Sequence, residues 1–404
     1  FLACAGENIG FGGSKPSSGV LNGSDALIHK NHFVYQLYWW SGHSSYEGVN
    51  ISGSIAKNDF EVKALERFQL TGNVFENKPY SGGQSYSIPI KVSLAGDATN
   101  TDVYTRDYTF SNNIVAGAVA ALNIFGQYDS SSPPVSPPDY VERGGRMEAI
   151  NNLFLDINKV TWDASAPALR AQFRFNAGAK YMRFSHNVVS YGTTGGCTPQ
   201  TSNGSFAVEL YRQNPTAPMT LAQNAEVDYN YLCNGQFRAT TPTAVKGDAS
   251  LAAFFDVAGS PFSMTKNMLG GETCADYSTY TTSSTCRTFG DRTDFESAAT
   301  NDFRIKASSS LYNATGSLRT GLSDYSTIPN CSNLVAASMG CAAYCPIVPL
   351  ANPITASSVS SVSGSGICDG LNTFTIKVTN FKLGTLVTWA GNVLSVATVQ
   401  EDSE

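Results

Sequence analysis

The chain has 404 residues, of which only 14% are charged, and its formal net charge is −6. Because a nucleic-acid-binding surface needs a basic stripe, this acidic balance argues against nucleic acid as a partner. No apolar stretch reaches the roughly 18 residues of a membrane-spanning helix, so we expect no transmembrane segment. Leu, Lys and Glu are too sparse for a mainly helical protein, which indicates an all-β fold.

The predicted elements are short strands that share one motif, apolar-x-apolar-x-x-Asn. Its asparagines lie 35–43 residues apart and are Asn31, Asn73, Asn113, Asn152, Asn187, Asn230 and Asn267. Alternation before each Asn has the period of a strand, and a unit this short must stack on its neighbours to bury its apolar face. We therefore predict a parallel solenoid with one column of asparagines. Each Asn would occupy a tight bend in left-handed geometry, with amides bonded along the column.

The apolar pair before each Asn is expected to face inward. The predicted core is Phe68, Leu70, Phe110, Met147, Met182, Phe184, Val227, Phe262 and Met264. Further strands are predicted at residues 86–94, 117–125, 168–176, 206–212 and 251–257, which makes three strands per coil. Residues 302–312 are predicted to form a last partial coil that covers the end of the solenoid.

The composition changes after the solenoid. We assign residues 1–328 to the solenoid, 329–350 to a Cys- and Pro-containing linker, and 351–404 to a small β-sandwich. The last segment is shorter than the roughly 100 residues of a complete sandwich of this type, so the module is predicted to be incomplete.

The nine cysteines form no C-x-x-C pair and have no ligand-spaced histidines, so zinc and haem sites are not indicated. Disulfides explain them better and place the protein outside the cytoplasm, extracellular or at the cell surface. Cys274 with Cys286 and Cys197 with Cys233 are candidate pairs. The remaining candidates, whose connectivity stays open, are Cys331, Cys341, Cys345 and Cys368.

The register of the motif also identifies outward-facing candidates. Glu148, Arg183 and Glu226 fall on three successive coils, with His186 and Asp228 beside them. Two carboxylates beside an arginine are groups that bind a sugar, hold Ca²⁺ or transfer protons. The alternative is an ion-pair ladder between coils, and no cofactor is otherwise indicated. Candidate glycan contacts elsewhere are Trp39, Trp40, Lys91, Arg174 and Glu209.

Several segments resemble a known family. They are ALIHKNHF at 26–33, FEVKALERFQLTGNVFEN at 60–77, QSYSIPI at 84–90, RFSHNVVSYG at 183–192 and DFRIKASSSLY at 302–312. These are similar to bacterial right-handed parallel β-helix repeat proteins of the pectate-lyase-like superfamily. FTIKVTNFKLGTLVTWAGNV at 374–393 resembles the immunoglobulin-like IPT modules that follow such helices. The resemblance implies a right-handed parallel β-helix over residues 1–328 and an Ig-like module after it.

Enzymatic relatives in this superfamily are lyases and hydrolases of acidic polysaccharides, and others are adhesins. This chain has no Asp-Asp pair, no Gly-His-Gly segment and no acidic cluster of the Ca²⁺-dependent kind. We therefore expect a non-catalytic extracellular scaffold, such as a cell-surface, matrix or filament subunit. The alternatives are a secreted polysaccharide lyase or glycoside hydrolase and a glycan-binding adhesin. Expected partners are further copies of the chain, including filaments, or a surface polysaccharide.

Overall fold

The computed structural model describes most of the strands of the chain. The described residues are 6–11, 23–35, 56–79, 86–92, 105–128, 144–158, 162, 171–176, 180–190, 206–211, 221–232, 237–239, 245–265, 267–270, 274–280, 285–287, 295–297, 302–305, 359–363, 375–378, 387–389 and 392–394. The chain divides into two compact units, Leu2–Tyr344 and Cys345–Glu404.

Short strands make up most of the described residues of the first unit. Its first twelve strands are β1 Gly6–Phe11, β2 Gly23–His29, β3 His32–Val34, β4 Ala56–Val62, β5 Leu65–Thr71, β6 Val74–Lys78, β7 Tyr86–Val92, β8 Thr105–Ser111, β9 Ile114–Ala118, β10 Ala120–Tyr128, β11 Gly144–Ile150 and β12 Leu153–Ile157. They are followed by β13 Ala171–Asn176, β14 Lys180–Ser185, β15 Val188–Ser190, β16 Phe206–Tyr211, β17 Gln223–Glu226, β18 Tyr231–Leu232, β19 Phe237–Ala239, β20 Val245–Lys246, helix α1 Asp248–Phe254, β21 Phe262–Ser263, β22 Met268–Gly270, a 3-10 turn at Cys274–Tyr277, β23 Thr285–Arg287, β24 Phe295–Ser297 and β25 Asp302–Ile305.

These strands form three long sheets. The first sheet has the order β1-β4-β7-β10-β13-β16-β19-β20, the second β2-β5-β8-β11-β14-β17-β21, and the third β3-β6-β9-β12-β15-β18-β22-β23. Every third strand thus returns to the same sheet, and neighbouring strands pair in parallel except β19 with β20. The described part of the chain is therefore mostly β and consistent with a parallel solenoid of three strands per coil.

Two segments differ from the prediction. Residues 251–257 were expected to form a strand, but Asp248–Phe254 is a helix that buries Ser250, Leu251 and Phe254 on one face. Its sequence DASLAAF combines strong helix formers with an acid in the first turn, where the helix dipole favours it. The first residues of the predicted last coil also differ, because β25 pairs antiparallel with β24 and joins none of the three long sheets; residues 306–312 lie outside the described residues.

The interior contains the apolar positions before each Asn together with apolar residues of the other two sheets, such as Phe75 and Phe173. All predicted core residues are buried except Phe262, which is half-buried. Because the coils stack in register, equivalent side chains lie above one another. Phe33 stacks on Phe75 with ring centroids 4.7 Å apart, and Phe68 stacks on Tyr108 at 4.9 Å. Aromatic contacts of this kind add to the stabilisation from burial.

The seven motif asparagines lie in one continuous hydrogen-bonded column, the asparagine ladder. From Asn31 to Asn230, each backbone N–H and each Nδ2 donates to Oδ1 of the next Asn, at 2.9–3.1 Å. From Asn73 onward, Nδ2 also donates to a strand carbonyl of the preceding coil; Asn152, for example, binds the Phe110 carbonyl at 2.9 Å. Each side chain thereby satisfies backbone groups that the bend removes from the sheets.

We expected the Asn itself to be the left-handed residue of each bend. At the first six bends the left-handed residue is instead the one before the Asn. These residues have φ of 55–66° and are Lys30, Gly72, Asn112, Asn151, His186 and Tyr229. A non-glycine residue in this region costs roughly 1–2 kcal/mol. The ladder residues lie outside it, so Asn is needed at the motif position for its amide and not for its backbone conformation.

Gly117 marks a point of close approach beside the third sheet. Its φ is +70°, and a Cβ at this position would lie 2.3 Å from the ring of Trp162. The indole Nε1 of Trp162 donates to Asp156 Oδ2 at 3.0 Å, and burial raises the pKa of that carboxyl. Only glycine therefore lets the buried tryptophan lie against the end of the strand.

A lysine points into the interior near the start of the solenoid. Lys78 is 1% exposed, and its Nζ donates to the Pro79 carbonyl at 2.7 Å and lies 5.7 Å from the centroid of the Tyr35 ring. Burial lowers the pKa of Lys78 to about 8, although the charge of buried Asp59 opposes this shift. Nothing in the strand pattern had indicated this residue.

Two antiparallel strand pairs are described in the second unit. They are β26 Val359–Ser363 with β27 Thr375–Val378, and β28 Val387–Trp389 with β29 Asn392–Leu394. The Ig-like module and the domain boundaries at 328 and 350 remain predictions. Among the described residues of both units, no helix has the length and apolarity needed to cross a membrane.

We predict that removing one amide from the middle of the asparagine ladder is strongly destabilising. Asn152→Ala leaves the Phe110 carbonyl and the Asn113 amide without their partner, and each such buried group costs about 1–3 kcal/mol. The expected loss of unfolding free energy is about 2–6 kcal/mol, measured by chemical denaturation. The control is Asn31→Ala at the half-buried end of the ladder, which should cost less. Equal losses would contradict the ladder as the source of the effect.

The buried lysine predicts a stability that rises with pH. Because the pKa of Lys78 is about 8 in the folded chain and 10.5 as a model value, the unfolded chain binds more protons between these values. Stability should therefore increase from pH 8 to pH 10, and Lys78→Met should remove this increase in thermal unfolding curves. Lys63→Met is the control, since Lys63 is partly exposed and paired with Glu61. An unchanged pH dependence in Lys78→Met would contradict the assignment.

Candidate functional site

The outward face of the second sheet carries a regular bulge. Six residues before each of the first six ladder asparagines, the backbone is left-handed, with φ of 44–60°, at Asp25, Arg67, Asp107, Arg146, Tyr181 and Asn224. The strand register skips this position, so that Ser24 pairs with Glu66 and Ala26 with Phe68. Both strands of each pair carry this residue, so the register is the same on either side of it, and the left-handed backbone turns an extra side chain away from the core in six successive coils. We call these six residues the bulge column.

Charges alternate along the first four positions of the bulge column. Arg67 Nε and Nη2 donate hydrogen bonds to the Asp25 carboxylate at 2.7 and 2.9 Å. Arg146 forms the same bidentate pair with Asp107. Since equivalent residues of adjacent coils lie about 4.8 Å apart, alternation turns repulsion into attraction. Hydrogen bonds from Arg67 lower the pKa of Asp25 to about 2, and those from Arg146 lower the pKa of Asp107.

The structure places Glu148, Arg183 and Glu226 side by side on β11, β14 and β17. They are register partners in the second sheet, two positions after the bulge column. Arg183 Nε donates to Glu226 Oε1 at 3.0 Å, and its Nη1 lies 3.8 Å from Glu148 Oε1. All three side chains are about 40% exposed. One guanidinium therefore bridges both carboxylates, and this trio is a half-exposed ion-pair cluster.

Asp228 and His186 do not join this exposed cluster. Asp228 is 6% exposed and accepts hydrogen bonds from Ser263 Oγ at 2.6 Å and from the backbone and hydroxyl of Thr265. His186 is fully buried, and its ring stacks on Tyr229 with centroids 4.9 Å apart. Both residues thus hold adjacent coils together beside the bend.

An open groove follows the bulge column and the neighbouring outward column. Its larger section, about 410 Å³, is lined by Arg146, Glu148, Tyr181, Arg183, Asn224 and Glu226 among others. A second section, about 390 Å³, includes Asp25, Leu27 and Arg67, and the two sections share Asp107 and Thr109. Tyr181 is 49% exposed and Leu27 is 58% exposed, and they are the two large exposed hydrophobic residues of the described chain.

Sequence reasoning did not identify Tyr181. Alternation places the position six residues before Asn on the outward face, but the predicted outward columns began four residues before Asn, because the motif itself begins only five residues before it. The signal that was present is the charge order Asp, Arg, Asp, Arg at this position, which is incompatible with an apolar interior.

The other predicted contacts are only partly described. Arg174 and Glu209 are register partners in the first sheet, on β13 and β16, whereas Lys91 lies on β7 with β10 between. The side chains of Lys91 and Glu209, and the whole of Trp39 and Trp40, lie outside the described residues. The cysteine side chains do so as well, so the disulfides stay predictions. The described residues contain no group of three or more His, Cys, Asp or Glu side chains that could hold a metal ion.

Comparison with known proteins identifies no relative from which a function could be assigned to this face. No protein-family model matches the chain, and no curated protein or solved structure matches it significantly.

Proposed function

We propose that this chain is a non-catalytic extracellular scaffold built on a right-handed parallel β-helix. The observation that carries the proposal is that the charged groups on the outward face of the second sheet form ion pairs between adjacent coils. Asp25 with Arg67, Asp107 with Arg146, and Glu148 with Arg183 and Glu226 all pair between coils. Charges engaged in this way stabilise the stacking of repeats, which is the requirement of a rigid spacer.

A catalytic role fits the same residues less well. General acid–base catalysis needs carboxylates with different environments, so that one is protonated while the other is ionised. Glu148 and Glu226 instead flank the same guanidinium and are 46% and 37% exposed. Extracellular location is supported by the predicted disulfides, and the hand of the coil by the resemblance to right-handed β-helix repeats and the general preference for right-handed crossovers.

The absence of catalysis is testable with polysaccharides. The purified chain and its Glu226→Gln variant are incubated with neutral and acidic polysaccharides, and new reducing ends and unsaturated products are measured. We expect neither protein to exceed the protein-free blank. We also expect Arg183→Ala to lower stability by up to about 1 kcal/mol, as for an exposed ion pair. Product release by the wild type that Glu226→Gln abolishes would overturn the proposal.

A second candidate function, glycan binding, is favoured by Tyr181. Its half-exposed ring lies in a groove with Asn224 and the Glu148–Arg183–Glu226 cluster. An aromatic face beside planar hydrogen-bonding groups is suited to sugar rings, which have an apolar face and a polar edge.

The tyrosine gives a direct test of glycan binding. In affinity electrophoresis through gels that contain a surface polysaccharide, we expect Tyr181→Ala to weaken retention about fivefold to tenfold, the size of an aromatic stacking contribution. Tyr181→Phe keeps the ring and should behave as the wild type. Equal mobility of the wild type and Tyr181→Ala would exclude this site.

A further inference from the structure

The charges of the bulge column are complementary to those of a second bulge column that runs in the opposite direction. Read along the solenoid from the first to the sixth coil, it runs Asp25, Arg67, Asp107, Arg146, Tyr181, Asn224. These side chains lie on an open face: Asp25 is 65% exposed, Arg67 52% and Arg146 40%. An exposed row of fixed charges is a surface that selects its partner by charge order.

From this order we infer that the outward face of the second sheet binds a second copy of the chain in the opposite coil direction. The two copies would be related by a two-fold axis parallel to the strands, between the third and fourth coils. The inference rests on the proposed scaffold function and names its partner. Such an interface is the same patch on both copies, so it closes as a dimer.

The geometry follows from the symmetry. A two-fold axis along the strands keeps each column opposite itself and reverses the order of the coils. Asp107 then faces Arg146 of the second copy, and Arg67 faces Tyr181 of the second copy. The first contact is an ion pair formed twice, and the second is a cation–π contact, also formed twice. Asp25 meets Asn224, which supplies amide donors.

The neighbouring outward column is free of like-charge contacts under the same axis. Its members are Leu27, Gln69, Thr109, Glu148, Arg183 and Glu226. Glu148 faces Thr109, Arg183 faces Gln69, and Glu226 faces Leu27 across its side-chain methylene groups. No like charges meet in either column. If the copies ran in the same coil direction with equal coils opposed, every charge would face its own duplicate, which repels.

The same contact covers the apolar side chains of the face. Leu27 and Tyr181 are the large hydrophobic residues that the described chain exposes, and both line the groove. Covering them removes apolar surface from water. Ion pairs that are weak in water are also less screened once the groove is closed. Association should therefore weaken as the salt concentration rises.

Sedimentation equilibrium of the full chain tests the inference. We expect a salt-sensitive dimer whose dissociation constant increases at least about tenfold in Asp107→Arg and in Arg146→Asp, because like charges then meet across the axis. Mixing these two variants should restore dimerisation, since the opposed charges become complementary while the pairs within each chain stay broken. The double variant Asp107→Arg/Arg146→Asp should dimerise like the wild type and shows that the substitutions permit folding.

Other outcomes would overturn it. If the wild type stays monomeric at low salt, the dimer interface is excluded. If that monomer is retained on polysaccharide gels, the face is instead assigned to glycan binding. Restoration by mixing Asp107→Arg with Arg67→Asp, but not with Arg146→Asp, would place the axis between other coils. A dimer insensitive to all these variants would use another surface. The polysaccharide-cleavage assay is independent of these results, so failure of the scaffold proposal remains distinguishable.

Discussion

Stacking in register at about 4.8 Å is the constraint on which the rest of this protein depends. Every residue of one coil lies beside its equivalent in the next, so a chemical choice made once is repeated along the axis. Apolar side chains stack into a continuous core, and amides form the asparagine ladder. Charges must alternate, as Asp25, Arg67, Asp107 and Arg146 do. The outward face therefore has its charge order because of the fold, before any ligand is considered.

The repeat made the ladder and the core readable from the chain, because spacing alone specifies which residues share a column. What could not be read was the local backbone. A left-handed residue lies before each of the first six ladder asparagines, as at Asn151, and a second one interrupts the first six strands of the second sheet, as at Arg146. Alternation places Tyr181 outward, but this residue precedes the first position of the motif, so its column was not among those predicted.

Helix α1 illustrates a different limit. Its apolar residues, such as Leu251 and Phe254, fit a buried strand as well as one turn of helix, and periodicity over seven residues does not separate the two. The position of the helix separates it from the strands. It follows β20, which pairs antiparallel with β19 and so breaks the repeat of three parallel strands per coil. The Glu148, Arg183 and Glu226 cluster was predicted as a set because all three residues share one column. That both carboxylates contact the one guanidinium of Arg183 could be seen only from the side-chain positions.

The direction of the ladder bonds has a mechanical consequence. Bonds such as Asn113 to Asn152 join one coil to the next, as do the bonds of all three sheets. A pull along the solenoid axis therefore acts on every bond of a coil boundary together, whereas a sideways pull at one loop opens that boundary one bond at a time. A protein built in this way resists stretching along its length and yields to peeling. The weakest coil boundary, and not the average one, then sets the force at which it opens.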